Sequence, residues 1–245
     1  MKVPAIIIVG VGPGPWEMLT LEAKDILLNA ERVFFRYATH PVYLKLKELG
    51  KDIIPFELLY ADPKLSYRKA YELMSLSIIK EAEIRGKVVY ALPGNPFVFE
   101  KTPRMIKELV SQRGYEIKFV PGMSFLEQLY CYLEIDPEEG LVVLNASRMV
   151  EHPERYVPDT RLACLIGQVG LPIGSKPTER KFNTAKLGKI LMEFYPPSHP
   201  AIIVRCTGFP TYTLEKRHIT VGEVSKQDNF VNNLTSLYIS AVKEK

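Results

Sequence analysis

The stretch IIIVGVGPGPWEMLT, residues 6–20, opens on four β-branched residues and then changes abruptly to glycine and proline. The run IIIV at residues 6–9 predicts a buried parallel strand, because a strand covered on both faces needs no alternation of apolar and polar residues. Three alternate glycines, from Gly10 to Gly14, allow a sharp turn and a close approach of the backbone to another group. Thr20 predicts the cap of a following helix. The stretch therefore predicts a strand, a tight turn and a helix.

The same order of elements occurs in dinucleotide-binding sites, but the prolines of the turn oppose that interpretation. The dinucleotide fingerprint needs a third glycine after two free positions, and this chain has Pro15 there. Pro13 and Pro15 also lack the N–H groups that would hold a phosphate. The turn is therefore better suited to an uncharged part of a ligand, or simply to reversing the direction of the chain.

The composition of the 245 residues is that of an ordinary globular protein, with 47% hydrophobic and 24% charged residues. The net charge of +4 comes from dispersed side chains, so binding of nucleic acid is not expected. No apolar run approaches the roughly 18 residues of a membrane span, and residues 1–14 do not resemble a signal peptide. The three cysteines (Cys131, Cys164 and Cys206) are far apart in apolar contexts, which predicts reduced core residues and a cytoplasmic protein.

The alternation of strands and helices differs between the two halves of the chain. In the first half, strand patterns alternate with helix patterns, which predicts a parallel α/β sheet. In the second half, five strand patterns accompany one long helix pattern at residues 185–195, which predicts a mixed α+β sheet. We therefore expect an N-terminal α/β domain at residues 1–122 and a C-terminal mixed domain at residues 123–245.

Three later stretches share the pattern of a strand that runs into a loop. They are KVVYALPGNPFVFE at residues 87–100, FVPGMSFL at 119–126 and LACLIGQVG at 162–170. These stretches and the GVGPG turn occur in the order and spacing of the tetrapyrrole (corrin and porphyrin) methylase family, which the chain therefore resembles. The resemblance implies a two-domain class III methyltransferase fold, S-adenosyl-L-methionine as cofactor, methyl transfer as activity and a homodimer as assembly.

Two branches of that family are similar to particular segments of the chain. RYATHPV at residues 36–42 and the PGNP segment at 93–96 resemble the methylase domain that is often fused to MazG pyrophosphohydrolases. LEIDP at residues 133–137 and QVG at 168–170 resemble the borosin peptide-backbone N-methyltransferases. The methyl acceptor is therefore left open between a tetrapyrrole-like or other large molecule and a peptide, and the atom that is methylated is not determined by the sequence.

The cofactor contacts of the family can be carried over position by position. All of them fall on or next to loops that follow predicted strands, and they are Pro13, Pro93, Gly94, Asn95, Val98, Ser124, Phe125, Gln168, and Thr207 or Gly208. Asn95 stands where the family usually has an aspartate, which weakens contact with the ammonium group of the cofactor. Phe125 stands where a small hydroxyl residue is frequent. These departures also allow a catalytically degenerate module that only binds the cofactor.

Catalytic candidates come from polar and aromatic residues near strand ends. Tyr60 and Tyr71 lie between the RYATHPV and PGNP segments, where borosin enzymes place tyrosines, and Arg36 and His40 follow the second predicted strand. A phenol needs a nearby cation to act as a base, because its reference pKa is about 10. Tyr60 ranks above His40 as the base, since His40 precedes a proline and can instead shape a helix start. The four histidines lack ligand spacing, so no metal is expected.

Overall fold

The computed structural model describes residues 3–170, 184–205 and 214–242, except for the side chain of Tyr60. Contacts divide these residues into two compact units, one that runs through Gln128 and another that takes the described residues from Leu129 onward. The boundary expected after residue 122 precedes the helix Phe125–Leu133, whereas the division by contacts falls inside that helix.

The first unit is built on a five-stranded, fully parallel sheet in the order β3-β2-β4-β1-β5. Its strands are β1 (Ala5–Gly10), β2 (Val33–Phe35), β3 (Ile53–Pro55), β4 (Lys87–Leu92) and β5 (Glu116–Val120). The run predicted as a buried strand forms β1, and Ile6 and Ile8 are fully buried. β1 lies between β4 and β5, so both of its edges are hydrogen-bonded. The parallel sheet expected from the first half of the sequence is confirmed.

Six helices accompany this sheet, and their ends follow from local sequence. They are α1 (Leu21–Asn29), α2 (Pro41–Glu48), α3 (Glu57–Ala61), α4 (Tyr67–Arg85), α5 (Thr102–Val110) and α6 (Phe125–Leu133). Thr20 caps α1 as predicted, since its hydroxyl accepts a hydrogen bond from the N–H of Ala23 at 3.1 Å. Gly86 ends α4 with a φ of +77°, a conformation that favours glycine. The short helix α3 was expected to be a loop at Tyr60 and Ala61.

Two apolar clusters cover the two faces of the sheet. One contains Ile6 and Ile8 of β1 with Met74 and Ile78 of α4, and the other contains Val9 of β1 with residues of α1 and α2. Consecutive residues of β1 thus enter opposite clusters, because side chains alternate along a strand. Burial on both faces explains why the strand is apolar throughout.

The second unit contains a mixed sheet in the order β6-β7-β10-β8-β9. Its elements are β6 (Leu141–Asn145), α7 (Ala146–Glu151), β7 (Ala163–Gly167), α8 (Thr184–Met192), β8 (Pro200–Arg205), β9 (Glu215–Thr220) and β10 (Thr235–Ile239). β6 and β7 are parallel and the other three pairings are antiparallel, so the predicted mixed sheet is confirmed. β9 ends at Thr220, because Thr220 and Glu223 form a capping box that starts a 3₁₀ helix.

The cysteines and the helices bear on two further expectations. Cys164 is buried and Cys131 is exposed, so the expectation that all three cysteines belong to the core is wrong for Cys131. Cys206 lies outside the described residues. Within the described ranges, no helix is both long enough and apolar enough to cross a membrane.

Candidate functional site

Three glycines bring the loops that follow β1, β4 and β5 into direct backbone contact. We call this arrangement the glycine contact, formed by Gly10, Gly94 and Gly122. A Cβ atom built on Gly10 would lie 2.4 Å from the carbonyl oxygen of Gly94 and 2.6 Å from the amide nitrogen of Gly122. A Cβ on Gly122 would lie 2.3 Å from the same carbonyl oxygen. Only residues without a side chain allow these backbones to approach so closely, which explains why positions 10 and 122 hold glycine.

A two-residue bridge fixes the loops after β1 and β4 side by side. Gly94 N–H donates to the carbonyl oxygen of Gly12 at 2.8 Å, and Gly12 N–H donates back to Gly94 at 3.4 Å. Both glycines have positive φ values, +73° and +69° respectively for Gly12 and Gly94. Pro13 and Pro93, each next to one of these glycines, are half-buried. The bridge therefore joins two loops that the sequence assigned to the cofactor.

The described residues leave room beside Gly94, and the three loops of the glycine contact carry no charged side chain. Among those residues, a Cβ built on Gly94 would meet only Ser124 Cα within 4 Å, at 3.8 Å. Residues 10–15, 93–99 and 121–125 contain no Lys, Arg, Asp or Glu. A phosphate normally requires cationic side chains or a set of N–H donors, and prolines remove several of those donors here. These loops are therefore suited to contact with an uncharged part of a ligand.

Asn95 holds the loop after β4 to the loop after β5. Its amide nitrogen donates to the carbonyl oxygen of Gly122 at 3.2 Å, and its side-chain oxygen accepts from the N–H of Phe97 at 2.9 Å. An aspartate could not make the first of these bonds, because an ionised carboxylate has no hydrogen to donate. The asparagine at this position thus has a structural reason in this chain. Contact between Asn95 and a cofactor stays a prediction.

Ser124 and Phe125 begin helix α6. The Ser124 hydroxyl donates to the Glu127 carboxylate at 2.6 Å and accepts from the N–H of Leu126 at 3.1 Å, in a capping arrangement that leaves Ser124 1% exposed. The Phe125 ring lies 5.6 Å from the ring of Phe99, which adopts a φ of +58°. A bulky residue in that conformation is strained and points to a local functional constraint.

Val98 lies in the same loop and is half-buried, with its N–H bonded to the carbonyl oxygen of Asn95 at 3.1 Å. The first unit thus brings together seven of the predicted cofactor residues at the carboxyl edge of its sheet. They are Pro13, Pro93, Gly94, Asn95, Val98, Ser124 and Phe125.

His40 is a fully buried cap of helix α2. Its Nδ1 accepts from the N–H of Val42 at 3.2 Å, so the proton of the neutral ring is on Nε2, which lies 3.3 Å from the carbonyl oxygen of Gly12. Burial lowers the pKa of His40 to about 4, although the bond to Gly12 opposes that shift. The basic lone pair of the ring is engaged in capping. A general-base role for His40 therefore stays a prediction that its hydrogen bonds disfavour.

This burial predicts a stability change at acidic pH. The unfolded chain has a histidine pKa of about 6.5, whereas the pKa of His40 in the folded protein is about 4. Below pH 6.5 the unfolded chain binds a proton that the folded one does not, so folding stability is fully present above that pH and is lost as the pH falls towards 4. The loss from this group is about 3 kcal/mol in total.

Denaturant unfolding at pH 7 and at pH 4.5 measures this loss. The His40→Asn variant keeps a capping side chain but cannot titrate, so its stability should fall less over the same interval. Parallel losses in the two proteins would show that His40 does not carry the effect.

Arg36 lies directly after β2 and is almost fully buried, with 2% of its side chain exposed. Its guanidinium forms a salt bridge with Glu100, in the loop after β4, and lies 4.9 Å from the centre of the Tyr71 ring. Burial would lower the pKa of Arg36, but Glu100 and neighbouring phenols hold it well above its ordinary value. Arg36 is therefore a permanent cation on the face of Tyr71, at the same edge of the sheet as the glycine contact.

The tyrosines at positions 60, 67 and 71 have different surroundings. Tyr67 and Tyr71 begin successive turns of α4, and Tyr71 is half-buried against the apolar cluster that contains Met74. Lys101 also lies over the Tyr71 ring, with 6.0 Å between its Nζ and the ring centre. Two cations thus approach Tyr71. The Tyr60 side chain lies outside the described part of the structure, so its catalytic role stays a prediction.

Two amide side chains mark the carboxyl ends of β6 and β7 in the second unit. Gln168 follows β7 with a φ of +60°, and its side-chain oxygen accepts from the amide nitrogen of Asn145 at 2.6 Å. Gln168 was expected from the sequence and Asn145 was not. Thr207 and Gly208 lie outside the described residues.

Sequence reasoning also missed the roles of Glu100 and Glu127. A carboxylate three residues after Ser124 is a capping signal that would have indicated Glu127. No local signal pairs Glu100 with Arg36, since 64 positions separate them. Within the described ranges, no cluster of three or more His, Cys, Asp and Glu residues is suited to holding a metal ion.

The chain is similar to known proteins over most of its length. The chain is 29% identical over 240 residues to the uncharacterised protein YabN of Bacillus subtilis, a match that covers 98% of this chain and 45% of YabN. It is 25% identical over 221 residues to a borosin methyltransferase and peptide precursor of Anomoporia bombycina, covering 89% of this chain and 26% of that protein. The chain thus spans less than half the length of either relative.

Among solved structures, uroporphyrin-III C-methyltransferase of Thermus thermophilus, complexed with S-adenosylhomocysteine, is similar in fold. The TM-score is 0.66 at 20% identity, over 96% of both chains. The model of the tetrapyrrole (corrin/porphyrin) methylases matches residues 5–222. The chain therefore belongs to the tetrapyrrole methylase family.

Proposed function

We propose that this protein is a methyltransferase that uses S-adenosyl-L-methionine. The observation that carries the proposal is the glycine contact of the first unit, where the loops after β1, β4 and β5 touch and the described residues leave room beside Gly94. Membership of the methylase family supports it, as does the S-adenosylhomocysteine in the related Thermus thermophilus enzyme. Dinucleotides are disfavoured, because Pro13, Pro15 and Pro93 remove N–H donors that a pyrophosphate needs.

The chain would bind the cofactor through residues already placed at this edge, chiefly Pro13, Pro93 and Gly94. Gln168 is a further proposed cofactor contact, which rests on the family resemblance. S-adenosylmethionine, when bound, supplies a methyl group that is already activated for in-line displacement. The protein then has to position an acceptor atom about 3 Å from that methyl group, exclude water and accept a proton where the acceptor is poor. Such a mechanism needs no metal.

Tyr71 is our proposed contact to the methyl acceptor, and the buried Arg36 acts through the Tyr71 ring. The Arg36 charge lies on the Tyr71 ring, and a phenol beside fixed cations can orient or deprotonate a weak nucleophile. Tyr60 is a further proposed contact to the acceptor, and its role rests only on the resemblance to the borosin enzymes. Tyrosine offers a flat apolar face with a polar tip, which suits a planar tetrapyrrole-like molecule or a peptide. The borosin relative favours a peptide as the second candidate acceptor.

Calorimetry with the purified chain tests the cofactor assignment. We expect S-adenosylmethionine and S-adenosylhomocysteine to bind, and NAD and ATP not to bind under the same conditions. Binding of NAD or ATP alone would reject the proposal. Binding of S-adenosylmethionine without methyl transfer to tetrapyrroles or peptides would favour a module that only binds the cofactor. A homodimer in the cytoplasm and an association with a MazG-type enzyme stay predictions.

A further inference from the structure

The side chains of Asn145 and Gln168 form a directed chain of hydrogen bonds at the ends of two parallel strands. Asn145 pairs with Gly167 across β6 and β7, and Gln168 follows Gly167 in the sequence. The side-chain oxygen of Asn145 accepts from the N–H of Arg148 at 3.2 Å and caps helix α7. Its amide nitrogen donates to the side-chain oxygen of Gln168 at 2.6 Å.

The polarity of this chain follows from a group that cannot reverse. The backbone N–H of Arg148 is a donor only, so the Asn145 atom facing it must be the oxygen. The amide nitrogen of Asn145 must then face Gln168, and two amide nitrogens would repel each other at 2.6 Å. Gln168 therefore turns its oxygen to Asn145 and its two N–H donors away. Among the described residues, the structure shows no acceptor for those donors.

The backbone of Gln168 is strained, and it fixes the position of the side chain. Its φ of +60° lies in the left-handed region, where a residue other than glycine is strained. The neighbouring N–H of Val169 bonds to the carbonyl oxygen of Thr235 at 2.9 Å, which anchors the turn to the strand β10. Strain of this kind persists where the surrounding structure imposes it, and it concentrates at ligand sites.

We propose that Asn145 is a positioning residue that fixes the direction of the Gln168 carboxamide, so that Gln168 binds its ligand only as a hydrogen-bond donor. The inference rests on the proposed function, in which Gln168 contacts S-adenosylmethionine. The ligand group that Gln168 contacts is then an acceptor, such as a ring nitrogen, a hydroxyl oxygen or a carboxylate. Analogues that present only a donor at this point are excluded by repulsion between hydrogens.

The Asn145→Asp variant tests the direction of the chain, because aspartate caps a helix as well as asparagine does. Its carboxylate has no hydrogen for Gln168, so the Gln168 carboxamide must turn over and present its oxygen to the ligand. We expect S-adenosylhomocysteine to bind about tenfold more weakly, as for a lost donor combined with an opposed acceptor, while the melting temperature stays close to that of the wild type. Calorimetry and thermal unfolding provide the two readouts.

Two further variants separate positioning from a general structural effect. Asn145→Ser keeps a cap but is too short to reach Gln168, which is then free to turn, so affinity should fall by only about threefold. In a Gln168→Ala background, Asn145→Asp should have no further effect on affinity. If the aspartate variant folds poorly, the affinity of the serine variant provides the comparison with the wild type.

The outcomes distinguish the inference from the function on which it rests. Wild-type affinity in a folded Asn145→Asp variant, or an equal loss in the Gln168→Ala background, would overturn the positioning role alone. If the wild-type protein does not bind S-adenosylhomocysteine, the proposed function is overturned and the inference with it.

Discussion

Replacement of Gly94 by tryptophan is expected to abolish binding of S-adenosylmethionine. A Cβ at Gly94 points into open space beside Ser124, so the indole would occupy the room in front of the loops after β1 and β4. The backbone φ of +69° adds strain of about 1–2 kcal/mol for any residue with a side chain. Calorimetry should detect no binding at concentrations that saturate the wild-type protein.

Gly86 offers a matched control for the strain. It has a φ of +77° and nothing within 4 Å of its Cβ position, but it precedes β4 whereas Gly94 follows it. Gly86→Trp should therefore lose a similar amount of stability and keep its affinity for the cofactor. Equal affinities of the two folded variants would remove Gly94 from the site.

Replacement of Glu100 by glutamine is expected to lower the free energy of unfolding by about 3 kcal/mol, because it removes the carboxylate that forms a salt bridge with the buried Arg36. The loss should be largely reversed in a double variant that also carries Arg36→Met, since the buried charge is then absent. Denaturant unfolding of the wild type, both single variants and the double variant gives the coupling energy directly.

The salt bridge between Lys45 and Glu48 is the control for this comparison. Both of its side chains are exposed, 47% and 66% respectively, so Glu48→Gln should change stability by less than about 0.5 kcal/mol. A Glu100→Gln variant as stable as Glu48→Gln would show that Arg36 does not depend on Glu100. The position of Arg36 against Tyr71 would then need another explanation.

Sequence alone determined the local elements and the family. The β-branched run of β1 needs burial on both faces, and the glycines after it permit a turn that few other residues allow. Thr20 and Gly86 set helix ends through bonds and dihedral angles within a few residues of themselves. Such signals are readable because cause and effect lie in the same short segment.

Only the tertiary structure decided which distant residues meet. Asn95 bonds to a residue 27 positions away, Asn145 to one 23 positions away and Arg36 to one 64 positions away. No periodicity or motif encodes these pairings, because they depend on how strands are ordered in each sheet. The sequence placed Asn95 at a loop, whereas the fold showed that its amide donates to Gly122, a bond that an aspartate cannot make. The physical reason is that hydrogen bonding and charge pairing act over a few ångströms of space, whatever the separation along the chain.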